Sequence, residues 1–571
     1  MSEYRIHPAI GVARVGDSDD YYIAPETAGG LPINPDGRPF RPADFRDGGG
    51  RVRRQGARFE VHRYDGGGGV PVRPGRDGVA RIEWTVHLAN KKPIWYRFFV
   101  GAGEQGYSPE HPLRNPHVND PDQRRGLIID PGPRTVAGAG AAAEFSRRDN
   151  PDGYPMTFPP PGLDPADVDT LGGLRTDDQG RLIVLGGHGR SGSERRPVRI
   201  LDYANNDGWW DDTSDGPVTA RLVLDDGTIV PVETGSWVLV APPRFAPELL
   251  NVVTLYDTMI DTAIRWLGAR PDIYADSLWN RFFLPSWERD VKPILERIRR
   301  YRWVVAVPRR AHDVPLHKLG DSAPRYRGMR EFYLSLIRPP ESPNLLAKAD
   351  GGLPLMPMLC GDNCFEPGPL AATYATVTRT QYFYLQQWAA GKFEMSRDGD
   401  DAGRGAALDR AALDNCVGAA FSPGIEVTWI SRNPELFAEP LRIRAKPKVE
   451  PPLSLGGNLA DGLEPGDLSK YMALPWQADF NECSKQQLGE RYVWWWPVQR
   501  PDYVFIERGD DLRQVAWVGT DADQNAPDYL QFDDDLEMVK LWSKLGFVFN
   551  TGTDRRPRFV EVARELPRED D

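Results

Sequence analysis

Near residue 245 the chain changes its hydrophobic period, so no uniformly helical or uniformly β architecture suits the whole of it. Before that point, RIEWTVHLAN places Ile82, Trp84, Val86 and Leu88 at alternate positions, the period of a half-buried strand. TARLVLDDGTIVPVE sets Asp226 and Gly227 between two apolar runs, a hairpin signal. GGGG at 66–69 and GLPINPDGRPFRP at 30–42 are turn and loop punctuation. After that point, APELLNVVTLYDTMIDTAIRWLG repeats apolar residues at helical spacing for roughly five turns or more. SWERDVKPILERIRRYRW reads as a second helix capped by Ser286, and TRTQYFYLQQWAAGKF as a third, capped by Thr380 and ended by Gly391. DDLEMVKLWSKLGFV gives a fourth, and the acidic tail ELPREDD reads as frayed.

The expectation is an α+β protein with mostly antiparallel sheets: a β-rich region over 1–244, then a mixed helical and β region over 245–571 that carries the site. Strands and helices do not alternate as βαβ units, which argues against a doubly wound sheet. The 571 residues allow a large core and two to four domains. Gly 57 and Pro 53 are many, but 17 Trp, 22 Phe and 20 Tyr point to a folded, loop-rich chain rather than a disordered one.

A net charge of -12 argues against general nucleic-acid binding, and RRYR at 299–302 reads as a helix end. No charged-then-apolar leader opens the sequence, and no apolar run reaches membrane-spanning length. Four cysteines do not make a disulfide framework, so a reducing, cytoplasmic setting is expected.

Several short motifs dissolve on inspection. GAGAAAEF at 138–145 matches the letters of a dinucleotide fingerprint, but DPGPRTVA before it offers no adequate strand, so a flexible loop is expected. DDTSDG at 211–216 mimics a calcium loop, yet the twelfth position is Leu222; a turn rich in side-chain hydrogen bonds is the better account. The eight histidines show no HExxH or zinc spacing, His312 and His317 alone make no site, and no GxSxG elbow occurs, so no metal is expected. Cys360 and Cys364 can bind metal or close a small disulfide; without further ligands nearby they read as two thiols in a buried loop. Cys483 reads as structural, and Trp494, Trp495 and Trp496 as core, since adjacent strand residues face opposite sides.

Two frames stand apart. Cys416 lies in LDRAALDNCVGAAFSPGIEVTWI, at the end of a helix that runs into a Pro-Gly break, and Trp476 lies in PGDLSKYMALPWQADFNEC. With YRIHPAIGVARVGDS, NNDGWWDDTSDGPVTA, PLMPMLCGDNC and TQYFYLQQWAAGKF in the same order, they resemble the lysine ε-oxidase and glycine oxidase family of quinoproteins over most of the chain.

The resemblance implies that Cys416 gives a thioether to the indole of Trp476, and that two added oxygens make a cysteine tryptophylquinone. It implies oxidative deamination of a primary amine or amino acid, free or peptide-borne, through a Schiff base on that quinone, with O2 reduced to H2O2. It also implies a flavoprotein maturation partner and a homo-oligomer. A proton-abstracting base is needed, for which Asp479 and Glu426 are candidates. The family's aspartate one helical turn before the cysteine is here Ala412. Asp409 shares that helix face but lies about 10 Å further along the axis, and Asp414 points to another side. Either Asp409 is repositioned, or another acid substitutes, or the chain is a silent relative that keeps the fold as a binding or assembly protein.

Overall fold

The computed structural model describes residues 2–99, 107–108, 110–194, 199–305, 314–340, 348–349, 351–361, 374–396, 403–419, 423–427, 429–457, 459–482, 485–488, 491–494, 497–509, 511–518, 532 and 534–565. Cys364, Cys483, His312, Trp495 and Trp496 lie outside them, as does the side chain of Trp494.

A thirteen-stranded sheet draws every strand from between Glu3 and Ala241. Its early strands are β1 (Glu3–His7), β2 (Ile10–Arg14), β3 (Tyr21–Ile23), β4 (Arg54–Tyr64), β5 (Val70–Pro71) and β6 (Val79–Val86). There follow β7 (Arg134–Ala137), β8 (Ala142–Ser146), β9 (Thr170–Thr176) and β10 (Leu182–Leu185). The strands β11 (Ser191–Ser193) and β12 (Trp209–Asp211) pair only with each other, and β13 (Ser214–Leu224), β14 (Ile229–Pro231) and β15 (Ser236–Ala241) complete the large sheet. The spatial order is β7-β6-β13-β15-β2-β4-β10-β9-β8, with β1, β3 and β5 on β4 and β14 on β13. Pairing is antiparallel except for β15 with β2 and β3 with β4.

The alternation in β6 places Ile82, Trp84 and Val86 in the core, and Leu88 is buried just beyond. The expected hairpin forms as β13 against β14, with Leu222 opposite Val230. Gly227 takes φ +87° there, a conformation that a Cβ disfavours. In the middle of the sheet every residue of β2 and β15 is buried, so both faces are covered. Gly11 is needed because a Cβ would meet the Phe59 ring at 2.2 Å.

The described helices are α1 (Pro121–Arg125), α2 (Leu255–Trp266), α3 (Lys292–Arg300), α4 (Leu316–Leu319), α5 (Arg327–Ser335), α6 (Arg379–Ala389), α7 (Gly403–Asp414), α8 (Trp476–Glu482) and α9 (Asp535–Leu541). Short two-stranded antiparallel sheets lie among the later ones. None of these helices is long and apolar enough to cross a membrane.

Three helical expectations shift. The stretch 246–254 is not helical, because Asn251 is fully buried and bonds to Val498 and Gln499, so tertiary partners outweigh local periodicity. Helix α2 starts only where Thr254 and Asp257 form a capping box. Ser286 does cap the next segment, but Trp287–Val291 first winds as a π-helix, and Pro293 then sits in the first turn of α3, where no donor is required. Thr378, not Thr380, caps α6; the Thr380 hydroxyl is drawn to Asp261 at 2.6 Å.

GAGAAAEF does follow a strand, β7. What comes next is the strand β8 rather than a helix, so no helix N-terminus is presented to a phosphate. The main apolar core crosses residue 245 without a break, joining Trp84 and Trp210 to Trp476, Phe480, Trp517 and Phe547.

Candidate functional site

Helix α7 delivers Cys416 to the interior two residues past its last turn, with no exposed surface. The thiol donates to the Ala412 carbonyl at 3.3 Å and lies 3.8 Å from Arg14 Nη2. Arg14 also donates to Glu426 Oε1 at 2.6 Å and to the Pro242 carbonyl at 2.9 Å. The other Glu426 oxygen accepts the Val417 N–H at 3.0 Å. Arg244, 4% exposed, donates to the Leu249 carbonyl, while its Nε and Nη1 have no partner. Burial, and then the Glu426 charge, push the Cys416 thiol well up, against the pull of Arg14 and Arg244. Burial and the neighbouring Arg14 push Arg244 down to about 10. A cavity of about 40 Å³ opens here, lined by Gly11, Arg14, Gln55, Arg244, Ala412 and Cys416 among others.

Trp476 opens α8 and is 2% exposed. Its backbone N–H donates to Asp211 Oδ2 at 3.0 Å, and its ring packs edge-on against Phe480 (5.4 Å) and Trp542 (5.6 Å). The indole Nε1 is buried without a partner. Asp211 is the hub: Oδ2 also accepts from Lys92 Nζ at 2.8 Å, and Oδ1 from Asn90 (3.0 Å) and Thr213 (2.8 Å). Lys92 donates in turn to the Ala473 carbonyl at 2.9 Å. A fully buried ion pair therefore grips the chain on both sides of Leu474 and Pro475. The DDTSDG segment holds a side-chain-to-backbone bond of the expected kind, Asp211 Oδ1 accepting the Thr213 N–H at 3.3 Å, within a buried polar seam at the end of β12 and the start of β13. Within it, Asp215 accepts from Trp237 and from Ser469. Next to the hub, Asp212 is pushed up to about 7, chiefly by burial, and its Oδ1 has no partner.

Cys416, Trp476, Glu426 and Asp409 share no direct hydrogen bond or ring contact. The side-chain hydrogen bonds and ring contacts of Cys416 go to Ala412 and Arg14, and those of Trp476 to Phe480 and Trp542. A relay runs between the two centres: Glu426 to Gln499 (3.4 Å), the Gln499 carbonyl to the Phe245 N–H (2.9 Å), then the Phe245 ring to Phe480 (6.0 Å). Asp479 is buried on α8, one turn beyond Trp476. Asp409 pairs with His7 Nδ1 at 2.8 Å and accepts the Ala9 N–H. Asp414 ties helices together through Arg297 (3.2 Å), Arg410 (3.0 Å) and Thr254 (2.7 Å). The carboxylate whose charge weighs most on the Cys416 thiol is Glu426. Arg14, Arg244, Lys92 and Asp211 escape sequence reasoning. A signal was available only for Asp211, whose spacing suggested a calcium loop.

Residues 7–240 match the family model described as L-Lysine epsilon oxidase N-terminal, and residues 357–502 the L-lysine epsilon oxidase C-terminal domain. The chain is 34% identical over 528 residues to an L-lysine 6-oxidase from Marinomonas mediterranea, covering 84% of this chain and 71% of that protein. This chain belongs to the lysine ε-oxidase family. The crystal structure of the L-Lys epsilon-oxidase from that organism superposes with a TM-score of 0.84 at 29% identity, covering 98% of this chain and 94% of the other. Another structure, of that enzyme's Schiff base intermediate with L-Lys, gives 0.85 at 29% identity, covering 98% and 95%. The large N-terminal sheet with helices and small antiparallel sheets behind it is thus the architecture of this family.

A cofactor made from Cys416 and Trp476 suits the chemistry of these residues. The thiol is free and sealed from solvent, and the indole is buried with Nε1 lacking any acceptor.

Proposed function

We propose that this protein is an oxidoreductase that oxidatively deaminates a primary amine or amino acid, using a cysteine tryptophylquinone built from Cys416 and Trp476 and passing electrons to O2 to give H2O2. The similarity to L-lysine 6-oxidase across 84% of the chain carries this reading. The burial of both residues at the ends of α7 and α8 supports it. Once formed, such a group supplies an electrophilic carbonyl and a two-electron sink, which no unmodified side chain offers.

The chain's own residues have separable tasks in this reading. The Lys92–Asp211 pair holds the Trp476 backbone through its N–H. Arg14 and the Val417 N–H orient Glu426, which takes the thiol proton of Cys416 as the thioether forms. Asp479, one turn from Trp476, is the base for the substrate's α-proton, with Glu426 as the other candidate. Asp409, occupied by His7 and Ala9, fits a structural task better than a role at the cysteine. Residues 245–571 carry the two modified side chains and Glu426, and residues 1–244 supply Arg14, Lys92, Asp211 and Arg244 around them. A flavoprotein maturation partner, a homo-oligomeric state and a cytoplasmic setting belong to the same proposal.

A second reading, a silent relative that never completes the quinone and acts in binding or assembly, is favoured by the methyl side chain of Ala412. Intact mass and the visible spectrum after co-expression with a maturing flavoprotein decide between them. A colourless protein without the added oxygens, beside a matured family member as control, sinks the first reading.

A further inference from the structure

Charge is unbalanced in the cleft beside Cys416. Two guanidinium groups, Arg14 and Arg244, are 2% and 4% exposed. One carboxylate, Glu426, is bonded to Arg14. Glu26 and Arg58, also in the lining, pair with each other, and the nearby buried Asp414 is held by Arg297 and Arg410. Arg244 stays charged at neutral pH even when pushed down to about 10. Its Nε and Nη1, together with Arg14 Nε, have no acceptor. The thiol of Cys416 does not supply the missing negative charge, because burial and Glu426 hold it protonated.

Water can accept from these donors but leaves the charge unopposed, and a buried uncompensated charge is costly. The cavity of about 40 Å³ exceeds the ~10–15 Å³ that a single water needs. Ala412, with only a methyl side chain, leaves it open.

We propose that this cleft is a small-carboxylate site, in which the unpartnered N–H groups of Arg244 and Arg14 bind a planar carboxylate of formate or acetate size. A carboxylate brings one negative charge and two acceptor oxygens, so one molecule answers the charge and takes N–H donors from the two guanidinium groups. The occupant is a free small carboxylate or the carboxylate end of an amino acid; the cavity leaves little room for more than that end.

The test uses the full, unmatured chain, with Cys416 and Trp476 unmodified, so its outcome is independent of the quinone reading. Thermal unfolding is followed against sodium formate, with sodium chloride at matched ionic strength. Glycine and methylamine form a second pair that differs in the carboxylate. The expected result is a saturable rise in Tm with formate, or with glycine but not methylamine, and no such rise with chloride. The formate arm marks a free anion, the glycine arm an amino-acid carboxylate. Arg244→Gln should lose the response. Should that variant fail to fold, Ala412→Asp tests the same point by building a carboxylate into the cavity: Tm should rise without formate, and the response should vanish. Loss of the saturable response in the parent chain, an equal response to chloride, or a response unchanged in either variant overturns the proposal.

Discussion

The surroundings of Cys416 and of Trp476 are both buried and ionic, yet they are finished differently. Around Trp476, Asp211 has acceptors filled on both oxygens, and Lys92 spends its protons on a carboxylate and a carbonyl. Around Cys416, Arg244 and Arg14 keep donors without acceptors, and a cavity adjoins them. A satisfied buried pair fixes a backbone; an unsatisfied one beside a void leaves room for something to enter. The tryptophan is clamped, whereas the cysteine sits in a place built to be adjusted.

Four substitutions sharpen or break that contrast. Cys416→Ala has the largest expected effect: no cross-link, no colour and no oxidase activity after co-expression with the maturing flavoprotein. Mass spectrometry of the peptides checks it, and retained colour would show that the sulfur comes from elsewhere.

Next comes Lys92→Met, which strands the Asp211 charge and should lower unfolding free energy by about 3–5 kcal/mol in urea. Cross-link yield should fall with it as Trp476 loosens.

Glu426→Gln should cost less, about 1–3 kcal/mol, because the Gln amide oxygen can still accept from Arg14, whereas Met offers Asp211 no donor. It should slow thioether formation more than it lowers stability. Equal stability losses in the Lys92 and Glu426 variants would erase the distinction between the two centres.

At low pH the smallest effect is that of Asp212→Asn, and it grows with pH. The folded-state pKa of Asp212, about 7, lies above its ordinary 3.8. Protonated Asp212 therefore favours the fold at low pH, and stability is lost as pH rises from about 4 through about 7. Asn should remove that loss and raise Tm at pH 8 by an amount corresponding to a few kcal/mol, with little change at pH 4. A flat difference across pH would mean the carboxyl is not held protonated.

Elements with strong local signals were readable from the chain alone. The alternation of Ile82, Trp84 and Val86 and the turn at Gly227 come from short-range sterics and side-chain periodicity, so they survive in the fold. The helix drawn through 246–254 did not, since a buried Asn251 bonded to Gln499 outweighs local spacing. Thr380 was misread as a cap for the same reason, its hydroxyl being claimed by Asp261 from α2.

The frames around Cys416 and Trp476, and with them the family, were set by the order of residues. Their ionic partners were not. Arg14 reaches Cys416 across 402 positions, and Asp211 holds the Trp476 N–H across 265. Local sequence carries no trace of such pairs, because burial and Coulomb attraction depend on distance in space and on excluded water. Only tertiary structure could saturate the Lys92–Asp211 pair and leave the Arg14 and Arg244 donors beside a cavity.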